Sequence, residues 1–531
     1  MSSTRGAFDD IKRNVRLYMK SKIGVVGAAI IIFFVVLAVF APNISQYDPV
    51  FGYNVASPWS VPAWAVIFPQ YQGLAVTQYV AGPTDFSTAN GATSWNFQAA
   101  NGGTLNYTKS SVTPPLPDKF LPRNPSGTLL VNATIPPNAP NGSSKYLPGG
   151  KVFFTMYQTY QWSSKPPTSF VMNATVEPVA MRNVSAIYLN YMITTPAGKN
   201  YSFSISDISS LVTPQVTFIP KQIGKWTTSS LPSGLLSASG IPQYFSVAYP
   251  SKVIFNQAGT YKFIMEVQGV PTGSNPAISL RLASASLKVN GGAFGILGTD
   301  SLGRDVWSQF VWGARVSLLI GVLSGVGAVG LGTLLGIAAG YLGGFWDEAL
   351  GRITDFVLVL PFLPLLIIVT FILSQSPYLV KTVYTWIILI FTILSWPTIA
   401  KIVRSQVLTV KERSYVEASR AVGGGTGHVL RKHILPNVTG LVYSQVALNV
   451  SGFILLEAAL DFLTVALYSP NVISWGLILT YSLADATSNS AASYVWWWFL
   501  PPGIAIAALS LAFVLVGFAL DQVFNPRLRA R

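Results

Sequence analysis

The chain contains no cysteine. Disulfides, thiolate metal sites and cysteine nucleophiles are thereby excluded, although a large enough domain folds without such staples. Histidine occurs twice, as His428 and His433. The pair is five residues apart, off the i, i+4 face that a helical metal site needs, and has no thiolate partner. Charge is scarce too: charged residues make up 10% of the 531 positions, against 50% hydrophobic. Such a balance is too apolar for an ordinary soluble domain and puts membrane spans first. The charge present leans basic, with a net of +15. In a membrane protein that excess collects in cytoplasmic loops, and where it sits decides between lipid and nucleic acid as its reason.

Long apolar runs are what the sequence does have. Ile23 to Phe40 is uninterrupted over 18 residues and follows Arg5, Lys12, Arg13, Arg16, Lys20 and Lys22. A cleaved signal peptide is the alternative; the length of the run and Pro42 at the would-be cleavage region favour an uncleaved span with the N-terminus inside. Further runs cover Val316–Leu342, Ile353–Leu373, Val383–Ala400, Val438–Leu460 and Trp496–Leu520. Each approaches the ~20 residues that cross ~30 Å of hydrocarbon. Six spans put both termini on one side. The basic residues Lys401, Arg404, Lys411, Arg413, Arg420, Arg431 and Lys432, and Arg527, Arg529 and Arg531 in the tail, then fall inside, as the positive-inside rule requires. The fifth span carries Ser444, Gln445, Asn449, Ser451 and Glu457, which should face helices or a cavity and not lipid. Gly332, Gly336, Gly340 and Gly344, with Gly321 and Gly325, form a ladder that lets helices approach closely. Gly325, Gly327 and Gly330 also fit G-x-G-x-x-G, but no strand precedes them.

Between the first two spans the composition turns to Ser, Thr, Asn, Pro, Gly and Tyr. Period-2 runs such as Lys151-Val-Phe-Phe-Thr-Met-Tyr and Ser279-Leu-Arg-Leu-Ala-Ser-Ala-Ser-Leu-Lys-Val alternate with turn clusters, the pattern of a β-sandwich. Ala258-Gly-Thr-Tyr-Lys-Phe-Ile-Met-Glu-Val resembles the immunoglobulin-like strand that carries a corner tyrosine, here Tyr261. The expected organisation is a cytoplasmic segment 1–22, a first helix 23–41, an extracellular β-rich domain 42–295 and a five-helix core 296–531 with a cytoplasmic loop at 401–437. The expected fold class is therefore an α-helical polytopic membrane protein with an inserted all-β, immunoglobulin-like sandwich. Seven N-x-[ST] sequons lie on the outer side, at Asn43, Asn106, Asn132, Asn141, Asn173, Asn183 and Asn200. They fit a glycosylated surface domain and, with a multi-span core, an archaeal source.

Tyr415 to Asn437 is a charged, glycine-punctuated segment between two apolar runs. Gly423-Gly-Gly-Thr-Gly-His lacks the Lys-Ser/Thr of a phosphate loop, and a helix-like stretch precedes it. Ser414 to Ala421 reads as a short helix with Ser414 as N-cap and Glu417 in a capping box. Gly423 to Gly425 supply its C-cap. His428 to Leu435 reads as a second short helix stopped by Pro436. Two bent surface helices with a thin Ala418/Ala421 side would suit a partner's groove; a re-entry loop without a partner fits the residues equally.

Glu417-Ala-Ser-Arg-Ala-Val-Gly423 followed by Ile434-Leu-Pro436 resembles the EAA loop of ABC importer permeases. The ten residues between the glycine and Ile-Leu-Pro match the dipeptide/oligopeptide/nickel import family. Ser419 replaces the usual third alanine, and Gly424, Gly425 and Gly427 loosen the hinge. Gly298-Thr-Asp-Ser-Leu-Gly-Arg-Asp305 with Gly313-Ala-Arg-Val-Ser-Leu318, Gly343-Gly-Phe-Trp-Asp347 with Arg352 and Asp355, Glu457-Ala-Ala-Leu-Asp-Phe-Leu463, Ser474-Trp-Gly476 and Asn525-Pro-Arg527 resemble the same family in order. The long outer insertion is not part of that family's usual pattern.

The resemblance implies one multi-pass permease subunit of an ATP-driven importer in the cell membrane. Its implied partners are membrane lipid, a second and different permease chain, two ATPase subunits and an extracellular substrate-binding protein, with no nucleic acid. The chain itself would bind no cofactor and carry no ATPase site; ATP and Mg would sit on the ATPases. Tyr415, Glu417, Ala418, Ser419, Ala421, Gly423, Ile434, Leu435 and Pro436 would form the contact with an ATPase, and Glu457, Asn449 and Asp461 are candidates for the path or its gate. For Glu457 a packing role fits as well. Peptides and oligosaccharides both stand as cargo. The outer domain could dock the binding protein, stabilise the complex or bind substrate. A membrane-anchored receptor or adhesion protein is the rival class.

Overall fold

A computed structural model describes residues 15–52, 55–82, 86, 93–100, 102–112, 127–136, 150–203, 218–219, 226–232, 250–375, 382–463, 473–488 and 495–524. Two units are distinct, Met1–Tyr53 with Arg304–Arg531, and Asn54–Gly303.

In the first unit, the residues dictate long apolar helices with specific ends. The helix α1 covers Lys22–Val39, and the Ser21 hydroxyl accepts the Gly24 N–H at 3.3 Å. The next helix, α2, runs Val306–Leu342 from an Asp305 cap, whose carboxylate accepts the Ser308 N–H at 3.0 Å; this satisfies one of the orphan donors of a helix start. Besides a single helical turn at Ala41–Ile44, the other helices described are α3 (Gly344–Val359), α4 (Phe362–Ser374), α5 (Val383–Lys411), α6 (Ser414–Ala421), α7 (Thr426–Val429), α8 (Leu435–Leu463), α9 (Trp475–Ser488) and α10 (Trp496–Phe524). Among the described residues, five helical stretches are long and apolar enough to cross a membrane, or six if the bent α3–α4 pair is one span.

The glycine ladder works on two faces of α2. A Cβ at Gly332 would stand 2.7 Å from the Ile399 Cβ, and one at Gly336 would stand 2.6 Å from the Ala400 carbonyl oxygen, so this face admits the α5 backbone. Gly321 and Gly325 lie on another face, where a Cβ would stand 2.5 Å from Ile454 and Val450 of α8. Without side chains at these positions, α2 packs between both neighbours at distances that any larger residue forbids. Gly325, Gly327 and Gly330 are inside this helix, which leaves no phosphate-binding turn.

Three features are not apparent from the apolar runs. The third apolar run, Ile353–Leu373, is not a straight span: α3 and α4 bend by 78°. Pro361 at the junction lacks an N–H and disfavours helical geometry at Leu360, which is extended. The first part of the segment 401–437 is helical, because α5 continues to Lys411. Its charged residues stay helical by pairing with α3: Arg404 holds Asp347 through two hydrogen bonds, and Lys401 reaches Asp355 at 2.6 Å. Third, α9 is a helix of 14 residues that the apolar runs did not reveal.

Among the described residues, the second unit holds two six-stranded antiparallel sheets. One has the order β10 (Thr227–Pro232), β6 (Ser169–Arg182), β12 (Ala277–Asn290), β4 (Thr128–Thr134) and β3 (Leu105–Ser110), with β1 (Gln78–Ala81) on β12; the other has the order β2 (Asn96–Ala99), β5 (Lys151–Trp162), β11 (Gly259–Pro271), β7 (Val184–Thr194) and β8 (Asn200–Phe203), with β9 (Phe218–Ile219) on β7. The long strands are β5, β6, β7, β11 and β12. One hydrophobic core takes Met172, Leu280 and Leu287 from the first sheet and Phe154, Tyr191, Phe263 and Met265 from the second. Alternation along each strand gives these layers their shared interior. Tyr261 is fully buried, with its hydroxyl 2.9 Å from the carbonyl oxygens of Ile254 and Gln257 just upstream. Lys288 is half-buried; its ammonium donates to the Val55 carbonyl, and desolvation pushes its pKa down to about 8.

Candidate functional site

Two clusters in the helical unit gather the residues singled out by sequence. The first is an elbow. The α5 helix ends at Lys411, and Arg413 is the N-cap of α6 with extended backbone. The expected capping box is therefore absent: Ser414 is already the first helical residue, Glu417 stands one position beyond the box, and no side chain caps the helix. The short link from α5 places the Arg413 carbonyl where it accepts the Val416 and Glu417 N–H groups at 2.9 and 3.2 Å.

The other end of α6 closes as its glycines dictate. Gly423 has φ +86°, its N–H donates to Arg420 O at 2.9 Å, and the Gly424 N–H donates to Ser419 O at 2.9 Å. These two bonds form a complete Schellman cap, which needs the left-handed residue at Gly423. Beyond it α7 begins at Thr426 and does not stop at Pro436. Leu430–Ile434 form one π turn, with Leu435 N–H bonded to Leu430 O, and the helix passes straight into α8. The wider turn sits where the ring of Pro436 would otherwise meet the preceding turn's carbonyl. The second arm of the elbow is thus the start of the fifth apolar helix itself.

Val416, Val429, Ile434 and Val438 are buried and anchor the elbow in the helical core. Tyr415, Glu417, Ala418, Ala421, Gly423, Leu435 and Pro436 are exposed, and Ser419 is half-buried. Val422, missed among the sequence candidates, is 87% exposed at the tip. Lys411 Nζ donates to Tyr341 O at 3.0 Å, and the Arg420 guanidinium lies 5.0 Å from the Tyr341 ring. The side of α6 that presents Glu417, Ala418 and Ala421 is thereby held while remaining open. Ile434, by contrast, is interior and supports the arm without reaching the surface.

The second cluster lies toward the other end of α8, some 35 Å along the axis at ~1.5 Å per residue. Glu457 and Asp461 stand one turn apart and are both buried. Ser317 Oγ of α2 donates to Glu457 Oε2 at 3.2 Å and accepts the Trp475 N–H at 3.3 Å. Ser474 Oγ donates to Asp461 and accepts the Leu477 N–H at 3.2 Å, capping α9. The Trp475 indole N–H reaches Phe310 O at 2.8 Å, and its ring packs on Phe34 and Phe310. Gly313 and Gly476 give room: a Cβ at either would come within 2.8 Å of Trp475 or 2.6 Å of Asp461. Three segments quoted separately from the sequence meet here and tie α2, α8 and α9 together. Asn449 does not join them; it bonds only to Gln445, at 2.8 Å, on its own helix.

Of the sequon asparagines, Asn43, Asn106, Asn132, Asn183 and Asn200 are exposed. Asn173 is buried in β6, so the folded strand cannot carry a glycan there. Asn141 and the segment 525–531 fall outside the described residues. Among the described residues no group of three metal-binding side chains occurs.

A family model described as the binding-protein-dependent transport system inner membrane component matches residues 332–530. A second, the N-terminal transmembrane domain of oligopeptide transport permease C, matches residues 12–58. With the helical spans, these define a membrane-spanning permease of the binding-protein-dependent transport type. The dipeptide transport system permease protein DppC of Bacillus subtilis is 32% identical over 269 residues, 51% of this chain and 79% of its own. The oligopeptide transport system permease protein OppC of the same organism is 36% identical over 232 residues, 44% of this chain and 72% of its own. The chain belongs to the family of dipeptide and oligopeptide ABC importer permeases. These relatives are bacterial and lend no support to an archaeal source. A family 11 carbohydrate-binding module of Clostridium thermocellum aligns with 41% of this chain and 97% of its own at 11% identity and a TM-score of 0.21.

Proposed function

We propose that this chain forms half of the translocation path of an ATP-driven peptide importer and takes its motive force through the α6–α7 elbow. One observation carries the reading: an exposed short helix, α6, is fixed by a glycine cap against α7, which runs without a break through a π turn into a helix long enough to cross the membrane. A displacement of α6 by a docked ATPase would therefore turn α8, and α8 ends in the Glu457–Asp461 cluster that binds α2 and α9. Tyr415, Glu417, Ala418, Ser419, Ala421 and Val422 would meet the ATPase. Gly423 sets the angle, while Ile434, Leu435 and Pro436 transmit it. Alternating access requires two arrangements within a few kcal/mol of each other, and a bent pair that pivots as one piece suits such a switch.

The full assembly in this reading has a second permease chain, two ATPase subunits that hold ATP and Mg, and a substrate-binding protein outside. Both termini face the cytoplasm and the β-rich unit, an immunoglobulin-like sandwich, faces out, where its exposed sequon asparagines would be glycosylated. Peptide cargo rests on the names of the relatives. Oligosaccharide cargo and the adhesion-protein alternative have no observation in their favour. Reconstitution with candidate ATPases, partner permease and binding protein tests the proposal: ATP should drive peptide uptake, and Glu417→Lys should leave the chain inserted while abolishing uptake. Undiminished uptake by Glu417→Lys would overturn the coupling role.

A further inference from the structure

The β-rich unit carries an exposed apolar patch that its own core does not explain. Residues Ala63–Ile67 and Pro69–Tyr71 form two short 3-10 turns. On them Trp64 is 45% exposed, Ile67 75% and Phe68 42%, and beside them Ile296 is 51% exposed. The four lie together: the Trp64 indole N–H donates to Ile296 O at 2.8 Å, the Ala63 N–H bonds to Gly295 O at 2.9 Å, and the Trp64 and Phe68 rings are 6.1 Å apart. Clustered apolar exposure of this kind marks an interaction surface.

Its surroundings point to one occupant. No charged residue occurs from Pro49 to Thr84, nor from Val289 to Thr299. Beside them stands a cation, Lys165, whose ammonium donates to Gln72 O at 3.1 Å. Apolar segments without charge of their own, bordered by a basic side chain, suit a lipid surface better than a protein partner, whose interface would carry a mixed charged rim. Tryptophan settles at the boundary of headgroups and acyl chains, and phenylalanine joins it on apolar faces that lie in that boundary. The tether is short as well. Ile296 precedes α2 by ten residues, which span at most about 35 Å when fully extended. The patch is therefore leashed to the bilayer that α2 crosses.

We propose that Trp64, Ile67, Phe68 and Ile296 insert into the bilayer interface on the side where the β-rich unit lies, and anchor that unit to the lipid surface. The proposal needs only that the chain spans a membrane; it is indifferent to which side the unit occupies and to the coupling role of the elbow. The absence of cysteine makes the test direct. The full-length chain is reconstituted in phosphatidylcholine–phosphatidylglycerol vesicles after introducing Ile67→Cys, Phe68→Cys or, on the exposed turn before β8 (Asn200–Phe203), Ala197→Cys as control. Each thiol receives a nitroxide, and its collisions with oxygen and with a water-soluble nickel chelate are compared. The oxygen-to-nickel ratio at positions 67 and 68 should exceed that at position 197 several-fold. Ratios equal to the control would overturn the proposal. Suppression of both collisions, the mark of a protein contact, would overturn it equally.

Discussion

Four glycines stand between residues 423 and 427, and replacement by alanine should affect them unequally. Gly423 has φ +86° and nothing within 4 Å of an added Cβ. Its alanine variant therefore costs only the left-handed conformation, about 1–2 kcal/mol. At Gly424 an added Cβ would stand 2.5 Å from Ser419 O, the acceptor of the cap's own hydrogen bond. That oxygen is backbone, so the turn must open, losing about 1 kcal/mol for the bond in addition to the strain of the shift. Gly425 has φ −67° with open space around it, and Gly427 lies within α7 with equal room. Alanine at Gly425 should be nearly silent, and at Gly427 it should stabilise α7 by up to about 1 kcal/mol. A bias of 1–2 kcal/mol changes the population of a two-state hinge by roughly 5–30-fold. In proteoliposomes holding the complete transporter, Gly423→Ala and Gly424→Ala should reduce peptide taken up per ATP hydrolysed by about that range, whereas Gly425→Ala and Gly427→Ala should match the parent. Uniform behaviour across the four, whether all impaired or all normal, would refute the account of the elbow as a set angle.

Gly336→Leu should prevent the chain from assembling, because even its Cβ falls 2.6 Å from Ala400 O; monodispersity after detergent extraction reads this out, and a stable variant would contradict the close α2–α5 approach. Ser474→Ala leaves Asp461 and the Leu477 N–H each short of a partner, a loss of about 1–3 kcal/mol per group. The thermal transition of the helical unit should fall, and Ser474→Thr should restore most of it. Lys288 supplies a pH dependence. With its pKa lowered from 10.5 to about 8 by burial, it is charged in both folded and unfolded chains below pH 8, where the burial penalty is complete. Between about 8 and 10.5 the folded form loses the proton first, so stability should rise with pH, by up to about 3 kcal/mol. The difference in unfolding between the parent and Lys288→Met across that window should show this slope, and a flat difference would contradict it.

Much of this architecture is legible in the residues. Uninterrupted apolar runs announce helices such as α1 and α10, because twenty apolar residues have few other fates. Gly423 announces the end of α6, since only a residue at ease with positive φ closes a Schellman cap. The tyrosine at 261 and the period-2 runs around it announce paired strands. What stayed hidden was set by neighbours. Pro436 reads as a stop, yet a π turn absorbs it because buried Ile434 and Val438 hold the helix on course. The bend at Pro361 hides in an apolar run whose composition is uniform. The short α9 takes its stability from Trp475 and Ser474 docking onto α2 and α8, contacts spanning as many as 165 residues. For the same reason no local signal brings Ser317, Glu457, Asp461 and Ser474 to one place, although each motif was visible alone. The sheet order, with β12 between β6 and β4, likewise follows from pairing at a distance.

The central claim is that the exposed tip of α6 docks on a separate ATP-hydrolysing chain, and site-directed cross-linking tests it most directly. The chain has no cysteine, so Ala418→Cys and Val422→Cys each introduce a single thiol on the open side of the elbow. With a short bifunctional reagent in native membranes, both positions should capture one ATPase subunit, and addition of nucleotide should change the yield. Failure of both to capture any ATP-hydrolysing chain, while the same membranes sustain uptake, would contradict the account.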